Sequence, residues 1–588
     1  MKNFLKILAA TILGSLLAML VGFFLFMGFI SSLASFAETK TPAVPSSAVM
    51  VLNFSSAITE QSVEDPFSAL NPFAGGSMKS TGILDFVQTI ERASSDSRIK
   101  MIYMNLNSVN AGISHIEEIR SALSRFRESG KPVIAYADNY SQGGYYLASV
   151  ADKVYLNPSG TSTLTGLSLS TLFFKDLLDK TGVEVQLIRH GKFKAAAEQF
   201  ISNKMSEENR EQLSSYLNSA WGSWTKAISE SRGVPVEKVN LLADNLDLAN
   251  AKDVLDAGLV DGLMYKDELT ETLMNLFGAE EEKDLKMISS TAYSKATKKT
   301  DFKAKNKIAV LYANGDIIMG KSDTDVASDT YQELISKLRK DSTVKAVVLR
   351  INSPGGSAQS SDIIERELAL LSETKPLIVS MGDYAASGGY WIASNSDKIF
   401  TSNSTLTGSI GVFSMVINAQ KTMNKHLHVY SNSVNTNRHS DIMSGFRPLD
   451  NEEIEFIRGG VEEIYTDFVE LVAKGRNMTS AGVDSVGQGR IWSGADALKI
   501  GLADEIGGLT DAINSAAAMA EIDGWRVVEY PVIKSQMDKI LETISDAEST
   551  AKVISSPELL IERAYKSLKR ESGVRNFARV PYNVEIAY

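Results

Sequence analysis

The chain has 588 residues, 44% of them hydrophobic, and a formal net charge of −11. That length exceeds a single domain and points to two plus additions, while the acidic balance argues against a nucleic-acid binder, which carries a basic face. There is no cysteine, which excludes thiol catalysis, disulfides and cysteine-bound zinc, and the five histidines form no HExxH pattern, so a zinc peptidase has no support.

Lys2 and Lys6 precede residues 7–37, a stretch without a single charge. It exceeds the ~20 apolar residues that cross a bilayer and the ~7–15 of a signal-peptide apolar region. The flanking lysines, with Glu38 beyond, predict a transmembrane anchor with its tip in the cytoplasm and the body outside. Ser35-Phe36-Ala37 offers the alternative of a removed signal. The expected organisation is an anchor over 1–38, an α/β domain over 39–279, a charged linker over 280–307, a second α/β domain over 308–524 and a helical extension over 525–588.

The first unit opens after a Ser/Pro/Ala-rich stretch with a strand-like Val49-Met50-Val51-Leu52. Short apolar runs such as Met101-Ile102-Tyr103-Met104 and Val133-Ile134-Ala135-Tyr136 then alternate with amphipathic helical patterns. That alternation predicts βαβ units and a largely parallel sheet. The second unit opens at Ile308-Ala309-Val310-Leu311-Tyr312 and repeats the order. Lys345-Ala346-Val347-Val348-Leu349 mirrors Lys100-Met101-Ile102-Tyr103-Met104, and Lys375-Pro376-Leu377-Ile378-Val379 mirrors Lys131-Pro132-Val133-Ile134-Ala135. Ala386-Ser387-Gly388-Gly389-Tyr390 has its counterpart in Ser141-Gln142-Gly143-Gly144-Tyr145, and the run ending Gly501-Leu502-Ala503-Asp504 in Gly258-Leu259-Val260-Asp261. Matched landmarks in one order establish an internal duplication whose period is a whole domain.

The copies differ where chemistry would sit. Ser387 stands where the first copy has Gln142. A serine at a strand-to-helix turn faces free backbone N–H groups suited to a developing oxyanion, although a serine there can equally be a helix cap. Ser353-Pro354-Gly355-Gly356-Ser357 could aim its N–H groups across the strand ends, and the first copy, Ser108-Val109-Asn110-Ala111-Gly112, has lost the paired glycines.

A serine nucleophile needs a base. His190 and His439 sit in no context that marks them. Lys194, in Gly191-Lys192-Phe193-Lys194-Ala195-Ala196-Ala197-Glu198, opens a helix-prone run. The dipole, Lys192 and burial would all favour a neutral amine there. A solvated lysine paired with Glu198 is the plainer alternative. The second copy has no lysine in this region, so the pattern suggests one composite site with its serine from one half and its base from the other.

Taken together, Ala385-Ala386-Ser387-Gly388-Gly389-Tyr390-Trp391, Ser353-Pro354-Gly355-Gly356, Ser404-Thr405-Leu406-Thr407-Gly408-Ser409-Ile410-Gly411-Val412 and Gly191-Lys192-Phe193-Lys194 resemble the signal peptide peptidase A family, the long form also called protease IV. The resemblance covers nearly the whole chain. It implies two tandem ClpP/crotonase-like domains and a Ser/Lys peptidase without metal or cofactor. Ser387 would be the nucleophile, Lys194 the general base, Ser409 the lysine's hydrogen-bonding partner, and Gly355 with Gly356 the oxyanion-hole turn. Lys192 competes for the base role, but the aromatic Phe193 directly before Lys194 fits the family. The resemblance further implies a homotetramer in the bacterial inner membrane, its body on the periplasmic side, acting on hydrophobic peptides such as spent signal peptides. Two other classes stand beside this one, a crotonase-type acyl-CoA enzyme and an inactive membrane-tethered scaffold.

Overall fold

The computed structural model describes residues 42–63, 80–298 and 304–533, the backbone of 576–579 and, near the N-terminus, residues 6, 7, 10, 11, 13–22 and 24. The first half is built on a parallel sheet in the order Gly262–Leu263, Lys153–Leu156, Val133–Ala137, Ile99–Asn105, Ala48–Asn53, Met287–Ser289. The second half repeats it with Glu505–Ile506, Lys398–Thr401, Leu377–Ala386, Val344–Ser353, Asn306–Asn314 and Trp525–Tyr530, and adds Leu406–Gly408 on the far end of Leu377–Ala386 with the short Ile491–Ser493 antiparallel to it. Strands such as Val344–Ser353 are buried along nearly their whole length, as parallel strands covered on both faces must be.

The halves are not beads on a string. Ile102 and Met104 of the first sheet share one buried apolar cluster with Val310, Val348 and Ile378 of the second, together with residues of the helices Ile83–Ser95, Ile113–Glu128 and Leu509–Met519. A further sheet crosses the junction. In it Glu184–Arg189 of the first half pairs antiparallel with Phe413–Asn418 of the second, Arg189 opposite Phe413. The same sheet holds Gly355–Ser357 and, between it and Phe413–Asn418, the strand Asn576–Arg579.

Inside the junction lies a buried ionic cluster. Arg350 Nε is 2.7 Å from Glu60 Oε2, its Nη2 2.7 Å from Glu118 Oε1, and its Nη1 donates to Ser380 Oγ at 2.9 Å. Glu60 Oε1 meets His115 Nε2 at 3.0 Å. Burial alone would raise Glu60, but Arg350 and His115 outweigh it and hold the carboxyl at about 2.

Two expectations change, and a third falls largely outside the described residues. Within the segment 280–307, Met287–Ser289 is an edge strand of the first sheet and Ser290–Thr297 a helix packed on Ile83–Ser95, because Ile288 and Tyr293 are apolar enough to be buried there. The extension after 524 was expected to be helical. Its described parts are strands, Trp525–Tyr530 at the sheet edge and Asn576–Arg579, while 534–575 lie outside the described residues. The anchor expected over 1–38 also lies largely outside them, and among those described no helix is long and apolar enough to cross a membrane.

Replacing Arg350 with methionine leaves Glu118 buried without its cation and Glu60 with His115 alone. The expected cost is about 3–5 kcal/mol, read as a lower denaturant midpoint for R350M than for wild type.

Candidate active site

Ser387 ends the strand Leu377–Ala386 and begins the short helix Gly388–Trp391. Its backbone sits at φ 56°, ψ −116°, outside the regions a non-glycine residue ordinarily occupies, and such strain persists only where the surroundings impose it. Here they do. Its N–H donates to the Gly408 carbonyl at 2.8 Å, and Trp391 N–H donates to the Ser387 carbonyl at 2.8 Å. The side chain is fully buried.

Lys194 arrives from the other half. The pairing of Glu184–Arg189 with Phe413–Asn418 fixes the register five residues ahead of it, and Arg189 Nη1 donates to the Lys194 carbonyl at 2.7 Å. Its Nζ then lies 2.7 Å from Ser387 Oγ, 3.1 Å from Ser409 Oγ and 3.1 Å from the Ser409 carbonyl. The structure therefore brings Lys194, Ser387 and Ser409 together from both halves.

Burial holds the Lys194 ammonium well below its ordinary value, with no other contribution. That corrects part of the expectation from sequence. The helix begins only at Glu198, after Ala197 at φ 65°, so Lys194 is not at a helix N-terminus. Lys192 is exposed, with its ammonium over the Phe193 ring at 4.9 Å. Glu198 faces away, accepting from Ser206 N–H at 3.0 Å and Asn209 Nδ2 at 2.7 Å. Desolvation does all the work because the lysine's own segment folds into the protein instead of winding into a helix.

What seats Lys194 is a loop that sequence reading passed over, Gly487-Gln488-Gly489-Arg490. Phe193 N–H donates to the Gln488 carbonyl at 3.0 Å, Gly489 N–H to the Ile410 carbonyl at 2.7 Å, and Ser409 N–H to the Arg490 carbonyl at 2.7 Å. The Arg490 guanidinium covers the Phe193 ring at 4.7 Å. Gly489 has φ +78°, and a Cβ on it would stand 2.5 Å from Lys194 Cβ. The paired-glycine spacing was the available signal, but nothing in sequence tied it to a lysine almost 300 positions earlier.

Gly355 and Gly356 lie on the strand Gly355–Ser357, packed against the helix that follows Ser387. Gly355 takes φ +100°, and Gly356 runs so close to the Ile317 backbone that a Cβ there would overlap it. In the first half, Gln142 Oε1 accepts from Thr165 and Gly166 N–H at 3.0 and 2.9 Å, and its amide donates to the Gly166 carbonyl at 3.1 Å. The counterpart of Ser387 is thus a loop tie. His190 bonds Glu462 at 2.6 Å and His439 bonds Glu453 at 3.0 Å, and neither bonds Ser387. His439, Asp450 and Glu453 also form a compact donor group, but Arg447 already donates to Glu453 at 2.6 and 2.7 Å and supplies its positive charge.

Fold and site together define a duplicated α/β protein in which a strained, buried serine of one half meets a buried lysine of the other. Comparison with known proteins places it further. The profile described as Peptidase family S49 matches twice, over residues 125–280 and 369–523. The chain is 37% identical over 523 residues to Protease 4 of Haemophilus influenzae, covering 84% of this chain and 83% of that protein. It is 36% identical over 479 residues to Protease 4 of Salmonella typhi, covering 80% and 77%. It is also 34% identical over 439 residues to the chloroplastic serine protease SPPA of Arabidopsis thaliana, covering 73% and 64%. The chain belongs to Peptidase family S49 and is a serine peptidase.

Two outcomes follow from the lysine's seat. Gly489→Ala strains the backbone and displaces Lys194, so kcat on a fluorogenic peptide is expected to fall on the order of 10²-fold, as for an ångström-scale misplacement. Lys194→Met removes a group whose charged form burial opposes. Between the depressed value and the ordinary 10.5 the unfolded chain binds the extra proton, so wild-type stability rises with pH across that window. K194M should therefore unfold at a higher denaturant midpoint than wild type at pH 7, with the advantage shrinking towards pH 10.5.

Proposed function

We propose that the chain is a membrane-anchored endopeptidase with a Ser/Lys dyad that hydrolyses hydrophobic peptides, cleaved signal peptides foremost. The observation that carries this reading is the 2.7 Å approach of Lys194 Nζ to Ser387 Oγ in a fully buried site.

A neutral primary amine has two hydrogens and one lone pair. The Ser409 carbonyl and hydroxyl oxygens, both at 3.1 Å, accept the hydrogens, which leaves the lone pair for the Ser387 hydroxyl proton. Lys194 takes that proton as Ser387 Oγ attacks the scissile carbonyl. Backbone N–H groups of Gly355, Gly356 and the turn after Ser387 hold the oxyanion. The C–N bond breaks, the Lys194 ammonium returns its proton to the leaving amine, and the acyl group remains on Ser387. Water, deprotonated by Lys194 in turn, releases the acid and restores the serine.

An extended peptide suits the sheet beside Ser387. The chain's own strand Asn576–Arg579 runs antiparallel both to Gly355–Ser357 and to Phe413–Asn418, beside the helix that follows Ser387. Backbone pairing on two sides would bind a peptide with little regard for its sequence. The ClpP/crotonase-like assignment of both halves, the homotetramer, and an uncleaved anchor over 7–37 in the bacterial inner membrane with the body on the periplasmic side belong to the same proposal. They are supported by the resemblance and by the charge pattern around the apolar segment.

The test is hydrolysis of a fluorogenic hydrophobic peptide by the full chain in detergent from pH 6 to 10. The neutral fraction of Lys194 grows with pH, so the rate should rise and level off at a midpoint well below 10.5. Ser387→Ala and Lys194→Ala should each lose at least about 10³-fold, near the scale at which dyad members fail, whereas Lys192→Ala should retain full activity. Undiminished activity in K194A would remove the lysine from the mechanism.

A further inference from the structure

The helix Ile113–Glu128 belongs to the half that has Gln142 in place of Ser387, yet its N-terminal turns reach three segments of the other half. Ser114 N–H donates to Asp383 Oδ1 at 2.7 Å, so an acid of the second half caps a helix of the first. Gly112, just before it, has no room for a Cβ because the Asp383 carboxylate fills the space. Glu117 Oε1 accepts from Ser404 Oγ at 2.5 Å and from Trp224 Nε1 at 3.2 Å, and its Oε2 faces Ser404 N–H at 3.4 Å. Glu118 Oε1 lies 2.7 Å from Arg350 Nη2, and its Oε2 accepts from Leu509 N–H at 2.8 Å. Both glutamates are buried.

The three points it grips are not arbitrary. Asp383 stands four residues before Ser387 on the same strand. Arg350 stands five before Gly355, and Ser404 five before Ser409. One rigid helix therefore holds the strands that deliver the nucleophile, the glycine turn and the lysine's partner. By the duplication it corresponds to Ala358–Ser372, which follows the Gly355–Gly356 turn in the second half. At the positions of Glu117 and Glu118 that helix has Asp362 and Ile363. The paired acids thus occur only in the copy that lost its own glycine turn.

We infer that Glu117 and Glu118 are positioning residues, through which the first half aligns Ser404 and Arg350, and with them the strand ends of the active site. The inference rests on the Ser387 and Lys194 reading above. Hydrogen bonds from a rigid element, charge-assisted at the Glu118–Arg350 pair, are well suited to this, because productive geometry tolerates only fractions of an ångström.

The test uses the full chain as wild type, Glu117→Gln, Glu118→Gln and Ser404→Ala, with Arg125→Ala as control. Arg125 lies on the same helix, and its ionic contacts are Glu91 at 2.9 Å and Asp511 at 3.8 Å, neither of them a residue of those strands. Reactive sites are first counted by end-point labelling of Ser387 with a fluorophosphonate, and kcat and KM are then expressed per labelled site. The expected result is a fall in kcat per site of about tenfold or more in the two glutamine variants, KM within about twofold, and no change in R125A. Should the glutamine variants not fold, S404A decides, since it removes one hydroxyl from the same contact. Fewer labelled sites with unchanged kcat per site, or a rise in KM alone, would overturn the inference and leave the helix a stabilising contact. A wild type that hydrolyses peptide but does not label at Ser387 would overturn the dyad reading, and this inference with it.

Discussion

A primary amine in a protein interior with no carboxylate beside it is opposed by desolvation for as long as it carries a proton. Lys194 is in that position, fully buried, with two serine side chains and a carbonyl around its nitrogen. The rest of the architecture follows from keeping it there. The strand Glu184–Arg189 must pair across the junction, the glycine loop around Gly489 must lie against the lysine's own backbone, and the two sheets must share a core so that water stays out. Were the halves to separate, the amine would regain water and its charge together.

Duplication supplied two equivalent scaffolds, and divergence gave them different tasks. The second half carries the strained serine and the glycine turn. The first has Gln142 at the serine's position, which ties down the loop at Thr165 and Gly166, and docks its helix Ile113–Glu128 on the second half. A symmetric pair of halves could not bring Lys194 to Ser387, since the lysine has no counterpart in the second copy. The asymmetry of the sequence is thus the asymmetry of one composite site.

Much of this was legible in the chain. Short continuous apolar runs and repeated landmarks gave the α/β duplication, because a strand buried on both faces must be apolar throughout and a duplicated fold must repeat its turn residues. Ser387, Lys194 and Ser409 were legible because each sits in a motif. The local surroundings of Lys194 were read less well. Three alanines and a glutamate predict a helix there, but Lys194 and Ala195 bury their side chains and the helix waits until Glu198. The segments 280–307 and 525–530 were read as linker and helix. Within them Met287–Ser289 and Trp525–Tyr530 are strands because the open edges of the two sheets offer them backbone partners.

By itself the sequence determined most of the element types, the duplication, and which side chains could do chemistry. Those properties depend on local periodicity and residue chemistry, which a chain carries wherever it is. Only the tertiary structure decided that Gly489 seats Lys194, that burial alone depresses the lysine, and that Glu117 and Glu118 reach the strands of the other half. These depend on contacts between residues roughly 200 to 400 positions apart, and sequence spacing holds no information about such contacts until the two sheets close on one another.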